Sequence, residues 1–293
     1  MQKVLATGAT GLVGSRFVEM FTDKYDVINM DLTTGVDITK EETFKPFFDS
    51  HKEAKTLIHL AAFTDPNKAF AETDDKNGIC YKVNVEGTKN IANICKERGI
   101  HLIHISTDFV FDGKKDTAYL EDDSVSPIEW YGSTKAMAEQ VVKESGTSYS
   151  IVRLSYPYRA NYELKPDIIK KIRAGLESGL LYPQFTDTII TPTFIDDIAR
   201  AFDKLVELKP QGIFHTVGSD SLSPYELAKK VATAYGFDPR HVKAGSLTEY
   251  LKSSSRPFAR KVAVSNVKSS QILGLHFATI DEGITTIKNQ QKI

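Results

Sequence analysis

Three glycines constrain this chain more tightly than any other feature. Gly8, Gly11 and Gly14 follow a short apolar run from Lys3 to Thr7 and precede a segment of helical spacing that reaches about Thr22. Strand, glycine-rich turn and helix in that order make a cradle for a dinucleotide. The first glycine allows a tight turn, the second lets backbone approach a pyrophosphate, and the third lets the helix pack closely, with its positive end toward the phosphates. Thr10, Leu12 and Val13 fall inside the same cradle and are expected to touch the cofactor with the glycines.

The next apolar run, Tyr25 to Met30, ends in Asp31, about 20 residues past the first glycine, where such a cradle carries the acid that binds the adenosine ribose. A carboxylate there accepts ribose hydroxyls and repels a 2′-phosphate, and no arginine follows in Leu32-Thr33-Thr34. NAD(H) is therefore favoured, with NADP(H) possible. Asp37 and Ile38 are placed to meet adenine. A third buried strand, Thr56 to Leu60, runs into Ala61-Ala62-Phe63-Thr64-Asp65, whose small residues let a cofactor lie against backbone. Leu60, Ala61, Ala62 and Thr64 join the expected cofactor contacts. A helix from about Ile79 to Arg98 carries Asn84 on its apolar face, in a tying role that could position Lys135 through a water.

Residues His101 to Lys135 hold the expected chemistry. Leu102 to Ile105 read as an interior parallel strand, which puts Ser106, Thr107 and Asp108 at its carboxyl end, where open α/β sheets place ligands. Tyr131 and Lys135 stand four apart in a helical segment, on one face and about 6 Å from each other. A phenol titrates near 10, and a neighbouring ammonium is expected to draw it down. With a hydroxyl from Thr107 on the same substrate oxygen, these groups form a proton-transfer site for a carbonyl and alcohol pair.

Composition removes other classes. The 293 residues carry a formal net charge of -1, so no electrostatic attraction to nucleic acid or an acidic membrane is expected. No apolar run approaches the roughly 20 residues of a membrane span, and Met1-Gln2-Lys3 leads into a strand without a signal-type segment. The two cysteines, Cys80 and Cys95, lack partners at metal spacing, which argues against a zinc site or a disulfide framework and for a reducing, cytoplasmic setting.

The second half alternates less regularly. Tyr149 to Leu154 is a buried strand leading to Ser155-Tyr156-Pro157-Tyr158. Helices are expected over Asp167 to Ser178, Ile195 to Leu208, Pro224 to Tyr235 behind the cap Ser223, and Ile280 to Gln290, with shorter ones at Ser246 to Leu251 and Lys268 to Leu273. Thr188 to Thr193 reads as extended and Gly212 to Val217 as a strand. The predicted fold is α/β, a Rossmann-type doubly wound parallel sheet with a smaller C-terminal α/β substrate-binding lobe. Residues 1–155 form the NAD(P)-binding domain, to which the chain returns around 187–217, and 156–293 form the lobe.

With the glycines, Asp31, Thr107, Tyr131 and Lys135 in this order, the chain resembles the extended short-chain dehydrogenase/reductases. Within them it is most similar to the dTDP-4-dehydrorhamnose reductase family. That narrower likeness rests on Ser106-Thr107-Asp108-Phe109-Val110-Phe111-Asp112-Gly113, Tyr131-Gly132-Ser133-Thr134-Lys135 with Glu139, Thr191-Pro192-Thr193 and Arg256-Pro257. The resemblance implies a catalytic trio of Thr107, Tyr131 and Lys135, reduction of the C4 ketone of a nucleotide-linked 6-deoxyhexulose, and a possible homodimer. It implies that Ser106, Asn84, Tyr131 and Lys135 serve the cofactor, and that Thr64, Asp65, Thr107, Asp108, Tyr156 and Arg256 line the sugar-nucleotide side. Phe109 stands where the family usually has Tyr, and Ser155-Tyr156-Pro157-Tyr158 replaces a tryptophan-containing segment, so the sugar's identity is left open. Phe109 also denies the chain the acidic pair that a 4,6-dehydratase needs. Two alternatives share the trio: a nucleotide-sugar 4-epimerase that keeps NAD bound, and a non-catalytic regulatory subunit like the β subunit of methionine adenosyltransferase.

Overall fold

The computed structural model describes residues 1–291. Its centre is a six-stranded, all-parallel sheet in the order Tyr25–Asn29, Gln2–Thr7, Thr56–His59, His101–Thr107, Tyr149–Leu154, Gly212–His215. The strands read as near-continuous apolar runs because both faces are covered. Val4, Ala6, Ile58, Ile103, Val152 and Phe214 point to one face, under the helices Leu12–Met20, Ile195–Leu208 and Val267–Leu273. Leu5, Leu57, Leu102 and Ile151 point to the other, under Glu41–Ser50, Thr88–Arg98 and Trp130–Glu144. This is the Rossmann-type architecture.

The chain starts in mid-sheet, adds Tyr25–Asn29 on one side, then crosses back to place Thr56–His59 on the other. Strand order reverses there, and a crevice opens beyond the carboxyl ends of the first and third strands. Gly8 turns into that crevice with φ +68, and a Cβ on it would stand 2.8 Å from the Ala61 nitrogen. Only glycine lets the two loops approach so closely.

The second lobe has its own apolar centre, with Ile169, Ile172, Leu227, Val231, Ile284 and Ile287 from the helices Ile168–Ser178, Pro224–Ala234 and Ile280–Gln290. Ser223 starts the middle one with a capping box, its hydroxyl accepting from the Glu226 N–H while Glu226 reaches back. After Leu154 the chain alternates between layers. It leaves for the lobe, returns as Ile195–Leu208 and Gly212–His215, and returns once more as Val267–Leu273, whose Leu273 lies in the sheet core.

The segment read as one helix from Ile79 to Arg98 is interrupted. A turn at Ile79–Tyr81 passes through a π-helical stretch, Lys82–Gly87, before the regular helix Thr88–Arg98 begins. Spacing of apolar residues does not reveal a single extra residue per turn. No helix among the described residues is long and apolar enough to cross a membrane.

Candidate functional site

The strand His101–Thr107 ends at Thr107, which caps a short 3-10 turn over Asp108–Val110. Its hydroxyl accepts from the Phe109 N–H at 3.3 Å and donates to Asp108 Oδ1 at 3.0 Å. The helix Trp130–Glu144 begins beside that turn, capped by Glu129, whose Oε1 accepts the Gly132 N–H at 3.0 Å. A Cβ on Gly132 would sit 2.2 Å from the Phe109 carbonyl oxygen. The glycine of Tyr131-Gly132-Ser133-Thr134-Lys135 is thus what lets helix and turn meet, bringing Tyr131 alongside Thr107. The Phe109 ring meets the Tyr131 ring edge-on, 5.6 Å between centroids.

Thr107, Tyr131 and Lys135 line one cleft of about 650 Å³, with Gly8, Thr10, Gly11, Leu12 and Val13 at its far end. Asp31, Asp37, Ile38, Leu60, Ala61, Ala62, Thr64 and Ser106 also line it. A smaller recess, formed by Ile128, Glu129, Arg256 and Phe258, adjoins it, and Asp108, Phe109 and Tyr156 belong to both. Tyr156 stands at that junction with φ +40, a left-handed backbone rarely held by a bulky residue and one found where a site over-determines geometry.

Burial governs the electrostatics. The Tyr131 phenol is held above its ordinary value by desolvation, and the carboxylates of Asp108 and Glu129 push the same way. This corrects the expectation that Lys135 draws it down: the low-dielectric wall and two acids set the direction of the shift. Lys135, 3% exposed, is itself lowered to about 8 by desolvation, with Glu139 one turn on acting in the opposite sense. Asp108 is raised to about 6 by burial, against hydrogen bonds from Ser155 and Thr107.

Several residues are partly or wholly engaged elsewhere. Asp65 does not line the cleft; its carboxylate caps the helix Pro66–Ala71, accepting from the N–H groups of Asn67 and Lys68. Asn84 does not line it either. Its amide clamps both backbone groups of Phe63 and the hydroxyl of Thr134, and makes no bond to Lys135. Ser106 gives its hydroxyl to Glu139 at 2.6 Å. Asp31 accepts from Thr10 Oγ1 through Oδ2 and from the Thr33 N–H and hydroxyl through Oδ1, which leaves about one of its four acceptor positions for a ribose. Arg256 rests 3.4 Å from Glu129 and over the Phe258 ring, at the recess. Sequence reading missed Tyr162 and Lys165, which also line the cleft. They sit in an irregular loop with no periodic pattern or motif to mark them.

The chain's own residues fit a dinucleotide: a glycine cradle at a helix N-terminus, an acid at the second strand's end, and the Lys135 amine lining the cleft. No cluster of side chains suited to a metal occurs among the described residues.

Comparison with known proteins adds a lineage. The family model for the RmlD substrate binding domain matches residues 1–292. The "Probable low-salt glycan biosynthesis reductase Agl14" of Haloferax volcanii is 27% identical, over 96% of this chain and 96% of its own. A dTDP-4-dehydrorhamnose reductase of Mycolicibacterium smegmatis is 28% identical, over 87% of this chain and 76% of its own. The crystal structure of dTDP-4-dehydrorhamnose reductase from Bacillus anthracis in complex with NADP superposes with a TM-score of 0.88 at 26% identity, covering 99% of each chain.

Proposed function

The chain belongs to the RmlD substrate binding domain family, within the extended short-chain dehydrogenase/reductases, and from that premise we propose that it is an NAD(P)H-dependent reductase of a nucleotide-linked 4-keto-6-deoxyhexose. The observation that carries this reading is the meeting of Thr107, Tyr131 and Lys135 on one wall of the cleft whose other end is the glycine cradle. The relatives named dTDP-4-dehydrorhamnose reductase support the substrate class.

Reduced nicotinamide, when bound, would supply a hydride to the carbonyl carbon. The protein's part is to position the ketone and manage one proton. Thr107 holds the carbonyl oxygen, a contact that accelerates reduction only to the extent that it tightens as negative charge grows there. Tyr131 stays protonated through the neutral range, because burial and Asp108 raise it, and gives its proton to that oxygen as the alkoxide forms. Lys135 is mostly an ammonium at neutral pH and binds the nicotinamide ribose beside the phenol. At the recess, Arg256 is the group suited to the sugar nucleotide's diphosphate, because a guanidinium can hold two oxygens at once. Asp108 and Tyr156, shared by both cavities, would flank the sugar.

Asp31 supports NADH as the preferred cofactor, since its charge opposes a 2′-phosphate. Its single spare acceptor position makes the preference modest, which agrees with NADPH as a second donor. The test is to mix the protein with NADH or NADPH and a panel of nucleotide-linked ketosugars and follow loss of the reduced nicotinamide. Oxidation with a dTDP-linked 4-keto-6-deoxyhexose is expected. A protein that binds the cofactor yet oxidises it with no ketosugar is not this reductase.

A further inference from the structure

The loop between Tyr158 and the helix Ile168–Ser178 is closed on itself at its base. The Arg159 N–H donates to Asp167 Oδ2 at 3.2 Å, while Asp167 Oδ1 caps the following helix by accepting from the Lys170 N–H. Arg159 is buried, and its guanidinium ties this base to the helix behind the glycine cradle, through the Leu12 carbonyl at 3.2 Å, Ser15 Oγ at 2.8 Å and Glu19 at 2.7 Å. The tip then spans the cleft. Tyr162, packed over the Arg159 guanidinium, donates its hydroxyl to the Thr10 carbonyl at 3.2 Å on one wall. Lys165 donates to Thr64 Oγ1 at 3.3 Å on the other.

Charge shows what such a bridge is for. The cleft is lined by three carboxylates, Asp31, Asp37 and Asp108, and by two ammonium groups, Lys135 and Lys165. A pyrophosphate at the cradle would meet only the partial positive charge of one helix end, about half an elementary charge, in a site whose lining is otherwise net negative. Lys135 lies beside Tyr131, at the catalytic end. Lys165 is the other cation, and its hold on the neutral Thr64 hydroxyl is exposed and readily exchanged for a charged oxygen.

We propose that Lys165 is the phosphate-binding cation of this site, releasing Thr64 to pair with the pyrophosphate of the bound dinucleotide while the Arg159–Asp167 loop spans the cleft above it. The inference rests on the reading of the cleft as a nicotinamide-dinucleotide site and is independent of which sugar is reduced. The sugar nucleotide also carries a diphosphate, but it belongs to the recess at Arg256, away from the contacts of the loop tip with Thr10 and Thr64.

Calorimetric titration of Lys165→Gln with NADH, ADP-ribose, adenosine and dTDP separates these cases. Weakening of NADH and of ADP-ribose by about tenfold at low salt is expected, with the gap from the unsubstituted protein shrinking toward 1 M salt as screening grows. Adenosine and dTDP should bind as before, and Lys165→Arg should recover most of the loss. Equal NADH affinity in Lys165→Gln and the unsubstituted protein would overturn the assignment, as would a loss confined to dTDP. A protein that binds dinucleotide but reduces no ketosugar would sink the reductase reading and leave this result intact.

Discussion

The buried pair Glu139–Arg153 offers the sharpest test of how this site is held. Both side chains are 1% exposed. Glu139 Oε1 accepts from Ser106 Oγ at 2.6 Å and Arg153 Nε at 2.8 Å, and Oε2 accepts from Arg153 Nη2 at 2.7 Å. The pair therefore ties the helix of Tyr131 and Lys135 to the strand Tyr149–Leu154, and the Ser106 bond ties it to the strand that ends in Thr107. Glu139→Gln keeps the shape but removes the carboxylate hydrogen-bonded to Arg153, leaving around its charge the neutral His215 ring, the Phe111 face, the Glu121 carbonyl and the Glu121 carboxylate, which makes its own bond to the His215 N–H. Breaking one side of such a pair costs about 3–5 kcal/mol. That is a large share of the total of about 5–15 kcal/mol that holds a domain folded. At about 2–4 °C per kcal/mol, the melting temperature should fall by roughly 6–20 °C. Removing both charges is far less costly than removing one, so Glu139→Gln combined with Arg153→Met should recover much of the loss. Thermal and urea unfolding of the two variants beside the unsubstituted protein decide it. A single variant that loses under about 1 kcal/mol, or a double variant no more stable than the single, refutes the reasoning.

Other outcomes follow from the same geometry. Tyr131→Phe should bind NADH normally yet turn over about 10²–10⁴-fold more slowly, the usual worth of a positioned acid; unchanged turnover removes its role. Burial lowers Lys135 to about 8, so its ammonium is complete well below that pH and is lost as pH rises through it. NADH affinity, followed by fluorescence, should decline above pH 8 in the unsubstituted protein and show no such limb in Lys135→Met. Asp31→Ala should weaken NADH more than NADPH; equal losses mean that the residue does not read the ribose. Gly132→Ala puts a methyl group 2.2 Å from the Phe109 carbonyl and must push helix from turn. It should cost about 1–3 kcal/mol of stability and most of the turnover, and a variant of full activity would show that the close approach is dispensable.

Much of the architecture is legible in the amino-acid order because its signals are local. The helices Ile195–Leu208 and Ile280–Gln290 have the limits that their apolar spacing and first-turn acids suggest, and Ser223 three residues before Glu226 announces a cap. The π-helical stretch at Lys82–Gly87 escaped, because a π-turn leaves no mark in the spacing of residue types; it carries Asn84, which clamps Phe63 and Thr134. Asp65 escaped for a related reason. A carboxylate before a helix can face a cleft or cap its own backbone, and here the cap is the partner it takes.

The amino-acid order by itself determined what depends on neighbours along the chain: glycines where backbone must come close, an acid at a strand end, and a phenol and an amine one helical turn apart. The tertiary structure decided what depends on groups brought from far away. It set the direction in which Tyr131 is shifted, gave Asp31 its bond from Thr10, and tied Tyr162 and Lys165 to Thr10 and Thr64, each more than a hundred positions earlier. Spacing is written in the chain, whereas desolvation and long-range charge exist only once the chain has closed around them.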